Sequence, residues 1–242
     1  MNLLALETSS PVLSAAVKKG SGRTLETKVR GAFSHAENLL PVIDRLLKRR
    51  RLRIQDIDAF LIGRGPGSFT GLRIGFATLK GFLAVQKKPC YGAMSLDLIA
   101  ENVKLEDGAG LSVALDAYRE KIYARFYHRQ DGGWVATEEP AVLGFSEWLE
   151  SLPADIHVAG DALARHEKGI EKFGKRSKWH RVPEAAWFPC ASVMISWSEK
   201  LNRSRGGGTP PLQKLEKPED FIPLYFRLSE AEEKTKAHAL TG

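Results

Sequence analysis

Gly63-Arg64-Gly65-Pro66-Gly67-Ser68-Phe69-Thr70-Gly71-Leu72-Arg73-Ile74-Gly75 is the stretch on which the fold turns. The apolar run Ala59-Phe60-Leu61-Ile62 leads into it, and an apolar-periodic run from Phe69 to about Val85 leads out. The pattern is strand, glycine-rich turn, helix. Glycines at 63, 65 and 67 let the backbone turn sharply and come close to a neighbour. Ser68 or Thr70 is placed to cap the helix. Two readings follow: a structural turn built from Gly65, Pro66, Gly67, Ser68 and Thr70, or an anion held at the helix N-terminus. No Lys-Ser/Thr follows the last glycine, so this is not a Walker A loop, and the glycine spacing is not that of a dinucleotide fingerprint.

Upstream, Leu3-Leu4-Ala5-Leu6 is an apolar run that stops at Glu7, followed by the polar turn Thr8-Ser9-Ser10-Pro11. Val12 to Val17 and Thr24 to Val29 read as the next strands. From His35 to Arg50 the period changes: Leu39, Leu40, Ile43, Leu46 and Leu47 recur at helical spacing. Ser34 and Glu37 have capping-box spacing, and Pro41 falls early enough to tighten or bend that helix. Downstream, residues 89–93 read as a strand, and Ser95 opens a helix to about Val103.

After the linker Asp107-Gly108-Ala109-Gly110 the chain starts again. Leu111 to Leu115 is an apolar run that stops at Asp116, followed by the turn Ala117-Tyr118-Arg119-Glu120. Strands are expected at 122–127, 134–137 and 156–159, and helices at 146–151, from Asp161 to about Phe173, and at 191–201. The order βββαβα occurs twice, and each copy opens on a strand that ends on a carboxylate. The expected class is α/β, with two lobes and a cleft between them, of the actin-like ATPase type (sugar kinase, Hsp70 and actin, ribonuclease H-like). The lobes are set at 1–106, which carries the partner-binding helices, and 107–205. Residues 206–242 are left as a mobile Gly/Pro loop and a tail, whose apolar segment Phe221 to Phe226 docks on a lobe and in which Ser229 to Glu232 starts a short terminal helix.

The chain has 242 residues and a net charge of +7. A basic balance permits association with nucleic acid. The densest run, Lys48-Arg49-Arg50-Arg51-Leu52-Arg53, reads as the solvated end of a helix, where cations suit the macrodipole, or as a direct RNA contact. Cys90 and Cys190 are far apart, and no Cys-x-x-Cys suggests zinc or a redox pair. The N-terminus does not read as a signal peptide and no apolar run is long enough to span a membrane, so a cytoplasmic protein is expected.

In actin-like ATPases the turns after the two carboxylates wrap nucleotide phosphates, which requires glycine for close backbone approach. Neither turn here contains glycine, and the second carries Tyr118 and Arg119. No cofactor is therefore expected to be required. Glu7, Thr8 and Asp116 are the cofactor-binding candidates that remain, for ATP or ADP bound weakly or at a partner interface. Glu7 and Asp116, with Asp161, are alternatively a metal-binding carboxylate set or simple loop acceptors. No two of the six histidines stand four apart, and Ser68 lacks a Gly-x-Ser-x-Gly elbow. In the helix after the glycine-rich turn, Gly71 and Gly75 form one small-residue row and Ala77 and Gly81 another. One row is expected to pack on the chain's own sheet and the other on another helix.

Gly65 to Gly75 resembles, nearly word for word, the signature of the TsaB (YeaZ) family of bacterial tRNA threonylcarbamoyladenosine biosynthesis proteins. Leu3 to Ser9 looks like that family's opening strand, with Glu7 where aspartate is usual. His35-Ala36-Glu37-Asn38-Leu39-Leu40-Pro41 looks like its first helix, Ala114 to Ala117 with Tyr123-Ala124 like the start of its second lobe, and Pro223 to Arg227 like its C-terminal motif. The resemblance implies a non-catalytic subunit that supports a catalytic paralogue, TsaD, which threonylcarbamoylates the adenosine next to the anticodon. It further implies a small ATPase, TsaE, as third member, a homodimer when alone, and tRNA reached through the complex. The paralogue holds its metal with His-x-x-x-His. The matching segment here is Ser95-Leu96-Asp97-Leu98-Ile99, so neither metal ligands nor catalytic residues are expected. The implied partner interface is His35, Asn38, Leu39, Pro41, Ile43, Gly71, Arg73, Ile74, Gly75 and Thr78. The alternative is a degenerate ATPase or a glycoprotease-like metallohydrolase.

Overall fold

The structure is a computed structural model, and it describes residues 1–31, 35–167, 169–170, 178–203 and 212–226. The proposed cap Ser34, the glycine-proline loop and the terminal helix at 229–232 lie outside the described residues.

The first lobe runs β1 (Leu3–Glu7), β2 (Val12–Lys18), β3 (Leu25–Arg30), α1 (His35–Arg50), β4 (Ala59–Gly63), α2 (Phe69–Val85), β5 (Cys90–Ala93) and α3 (Ser95–Asn102). β1, β2 and β3 form an antiparallel meander, and β4 and β5 add in parallel on the other side of β1. The second lobe runs β6 (Gly110–Asp116), β7 (Lys121–Gln130), β8 (Gly133–Ala136), β9 (Ala141–Gly144), α4 (Phe145–Ser151), β10 (His157–Ala159), α5 (Ala162–Arg165) and β11 (His180–Arg181). Its order β11-β10-β6-β7-β8 repeats the first lobe's β5-β4-β1-β2-β3. The duplicated α/β plan is therefore that of the actin-like fold.

Alternation along β1 explains the layering. Leu4 and Leu6 join Leu39, Ile43, Leu46, Phe76 and Leu79 beneath α1 and α2. Leu3 and Ala5 face the other way, into a layer with Ala59, Leu61 and Leu98. A strand buried on both faces reads as a continuous apolar run, as β1 and β4 do. Each fully buried leucine is worth roughly 1.5–3 kcal/mol.

The lobe boundary at 205 needs correction. α6 (Ala191–Arg203) packs on the first lobe's sheet, with Ala191, Met194, Ile195 and Trp197 against Leu3, Ala5, Ala16 and Leu61. Its N-terminus is held there: the Ala191 N–H donates to Ser14 Oγ at 2.9 Å and the Ser192 N–H to Glu26 Oε1 at 3.1 Å. A carboxylate at a helix N-terminus is favourable, but it comes from a strand more than 160 residues away. β12 (Leu212–Leu215) then adds antiparallel to β5. The following segment spans both lobes: the Leu224 N–H donates to Arg64 O at 2.7 Å, Tyr225 lies on Phe69, and Phe226 meets Tyr123 edge-on.

The short β9 was not expected. It pairs with the first half of β7 while β8 pairs with the second half. Both cysteines are free and buried, and burial pushes the Cys90 thiol up to about 12. No helix among the described residues is long and apolar enough to cross a membrane.

Candidate functional site

The glycine-rich stretch is an internal joint. A Cβ at Gly63 would overlap the Glu7 carboxylate, and one at Gly67 would overlap the Ser9 carbonyl. The Ser68 N–H donates to Ser9 O at 2.6 Å, and Ser68 Oγ caps α2 by accepting from the Gly71 N–H at 3.2 Å. Cβ atoms at Gly71 and Gly75 would strike the carbonyl and hydroxyl oxygens of Thr8. The turn after β1 thus lies directly on the first two turns of α2. This corrects the interface assignment of Gly71 and Gly75: their row packs on the chain's own Thr8.

Leu39 and Ile43 are corrected likewise, since both belong to the core beneath α1. His35 is buried, with Nε2 2.9 Å from Ser10 O, and burial lowers its pKa. The remaining residues assigned to the interface sit differently. Pro41 and Arg73 are exposed, while Asn38, Ile74 and Thr78 are half-buried. Arg73 lies over the Phe69 ring at 3.8 Å. The exposed surface of the two helices also includes Leu40, Val85 and the second small-residue row of α2. Leu40 is 55% exposed and Val85 is 89% exposed. Ala77 and Gly81 are exposed too, and among the described residues nothing lies within 4 Å of a Cβ placed on Gly81. This corrects the place of Leu40, which the sequence pattern counts in the apolar stripe of α1 and which the structure turns to solvent, unlike Leu39, Leu46 and Leu47.

Glu7 and Thr8 are both buried at the end of β1. Glu7 is fully buried; Oε1 accepts the Ser9 N–H at 2.6 Å and Oε2 accepts the Ser95 hydroxyl at 2.8 Å. Burial raises its pKa against those hydrogen bonds. Ser95 Oγ in turn accepts the Gly65 N–H at 3.2 Å. The residue at the first histidine position of the resemblance therefore ties the opening strand to the glycine-rich turn. Ile99, at the second position, is fully buried in the second lobe's core. The Thr8 hydroxyl is buried against Gly75 without a hydrogen-bond partner among the described residues.

The inter-lobe cleft, about 280 Å³, is lined by Ser9, Ser10, His35 and Ser68 from one side and by Asp116, Tyr118 and Asp161 from the other. The Asp116 N–H donates to Asp161 Oδ1 at 2.9 Å, and Asp116 Oδ1 lies 3.4 Å from His166 Nε2. The His166 ring stacks on Phe145 at 4.2 Å. Desolvation pushes the Asp161 carboxyl up to about 6, and the Asp116 charge adds to this. Tyr118, Arg119 and Glu120 all take left-handed backbone, with φ of 62°, 54° and 57°. His166 was not singled out from sequence, because nothing local links it to a carboxylate fifty residues earlier. Among the described residues, no group of three or more His, Cys, Asp or Glu side chains is arranged to hold a metal ion. Two carboxylates facing a cleft with turns that lack glycine fit a phosphate chain poorly.

Two equivalent lobes meeting at such a cleft define the class: a protein of the actin-like ATPase fold. The model of a family described as TsaD, tRNA N6-adenosine threonylcarbamoyltransferase, matches residues 31–188. The tRNA threonylcarbamoyladenosine biosynthesis protein TsaB of Escherichia coli is 31% identical over 150 residues, 59% of this chain and 62% of that protein. The protein of the same name from Bacillus subtilis is 28% identical over 174 residues, 71% of this chain and 76% of its own length. The solved structure of YeaZ from Pseudomonas aeruginosa superposes with a TM-score of 0.71 at 27% identity, covering 93% of this chain and 99% of that one. The chain belongs to the TsaD family in the broad sense and, with these relatives, to its TsaB (YeaZ) members.

Proposed function

We propose that this chain is a non-catalytic subunit in tRNA threonylcarbamoyladenosine biosynthesis, which binds and supports the catalytic paralogue TsaD. The observation that carries the reading is the outward face of α1 and α2. Leu40, Pro41, Ala77, Gly81 and Val85 present small and apolar surface there, with the charged Arg73 beside them on α2. Small residues let a second helix come close, and exposed apolar groups supply the burial that association needs. The tie between Ser95 and Glu7 supports the non-catalytic part, because that position is committed to holding the fold. The cleft supports the reading that the chain has no nucleotide requirement of its own. A homodimer through the same face when alone, a small ATPase (TsaE) as third member, tRNA bound through the complex and a cytoplasmic location complete the proposal.

The test is reconstitution. Threonylcarbamoyl transfer to tRNA by the catalytic paralogue should depend on adding this chain, and the two should co-purify. Calorimetry of the chain alone with ATP and magnesium should give neither tight binding nor turnover. Turnover by the isolated chain, or full activity of the paralogue without it, would overturn the reading.

A further inference from the structure

The basic run at the end of α1 is half of a larger surface. The turn between β2 and β3 lies beside it: Lys19 Nζ reaches Arg51 O at 3.4 Å, and the Arg50 guanidinium donates to Arg23 O. Lys19, Arg23, Arg49 and Arg51 are exposed. Among the described residues none of these four, nor Arg45 or Arg50, has a carboxylate within ion-pair distance. The carboxylates bordering the surface are paired within the basic run or with the chain's start, and the Lys19 charge also reaches Asp56. Asp44 pairs with Lys48 at 2.7 Å, Asp56 with Arg53 at 3.5 Å, and Asp58 accepts the Asn2 N–H at 2.6 Å.

The helix end adds a separate observation. The Leu52 N–H donates to Leu47 O and the Arg51 N–H to Lys48 O, both at 3.0 Å, which is a Schellman ending with Arg51 in its left-handed position. Arg51 has φ of 51°. Glycine fits that position without strain, yet the chain carries an arginine there, with its charge in solvent.

We propose that this surface, formed by Lys19 and Arg23 with the end of α1, binds the phosphate backbone of an RNA. Arginine forks match phosphate oxygens. Leu47 and Leu52, the apolar residues at the helix end, are buried, so nothing there inserts into a lipid bilayer. α1 spans 16 residues, about 24 Å, and His35 at its other end lines the inter-lobe cleft. The RNA surface is thus at the far end of the lobe from the cleft. The inference rests on the proposed role in tRNA modification only for the choice of RNA.

The experiment is anisotropy titration of the full-length chain against an unmodified tRNA transcript across a salt series. Each neutralised phosphate contributes roughly 0.7–0.9 to the log–log salt slope. Lys19→Ala/Arg23→Ala/Arg49→Ala/Arg51→Ala should therefore lower that slope by about 3 and weaken binding at least about tenfold at low salt. The four arginine-to-lysine and lysine-to-arginine exchanges should restore most of it. Unchanged affinity and slope in the alanine variant would overturn the proposal. So would wild-type binding that ignores salt, or surface-dependent binding of phosphatidylserine vesicles or an acidic protein with none to tRNA. Co-purification with the catalytic paralogue is the independent readout: its failure sinks the function proposed above and leaves a surface-dependent tRNA affinity standing.

Discussion

The turn after β1 and the turn after β6 occupy equivalent places in a duplicated fold and have opposite fates. In the first lobe the strand-end carboxylate, Glu7, is fully buried and tied to Ser9 and Ser95. The turn that follows is roofed by α2, which can lie on it because Gly71 and Gly75 have no side chains. In the second lobe Asp116 stays at the cleft beside Asp161 and His166, and its turn adopts three left-handed residues in succession. The helix that would roof it, α5, has only four residues, Ala-Leu-Ala-Arg, and no glycine. Topology sets where a site falls in each lobe, and a few side chains decide whether the strand-end carboxylate is sealed in or faces the cleft.

Sealing has consequences that substitutions reveal. Gly71→Val forces the turn off α2 and should cost about 3 kcal/mol or more in urea denaturation, since the clash is with backbone. An equally stable variant would mean that the turn is not packed as described. Glu7→Ala leaves the Ser9 N–H and the Ser95 hydroxyl without their acceptor in a dry site. A loss of about 2 kcal/mol is expected by the same measurement, whereas Asp116→Ala in the open turn should lose less. Equal losses at the two positions would remove the contrast between the lobes.

The second carboxylate of the open side gives a pH test. Asp161's folded pKa is raised to about 6, so the native state holds its proton more tightly than the unfolded chain does. Its contribution is fully present at pH below the ordinary aspartate range and declines as pH rises to about 6. Asp161→Asn, which keeps an acceptor for the Asp116 N–H, should therefore gain on the wild type by about 1–2 kcal/mol between pH 4 and pH 7. A gap that stays constant with pH would contradict the shift. The smallest effect is expected at the end of α1, where Arg51→Gly relieves left-handed strain and should stabilise by about 1 kcal/mol while weakening tRNA binding.

Local signals carried the strand, turn and helix around Gly63 to Val85, the helix at 35–50, and the restart at 110, because turn chemistry and periodicity lie within the segments themselves. Signals that arise from distant packing were out of reach. α6 belongs to the first lobe because Ser14 and Glu26 cap it from other strands. β12 and β9 are four residues each, too short for a period to emerge. The two small-residue rows of α2 were visible, but which one faced inward depended on Thr8, some sixty residues upstream. The Asp116–His166 approach spans a comparable gap and likewise left no local trace.

That inversion of rows is the centre of the account, and Gly81 tests it most directly. Its Cβ direction is open, so Gly81→Trp should leave the melting temperature within a few degrees of wild type. Light-scattering mass should then show the variant as a monomer that no longer co-elutes with the catalytic paralogue. A Gly81→Trp chain that folds normally and still forms both the homodimer and the complex would contradict the claim that the outward row of α2 is the partner face.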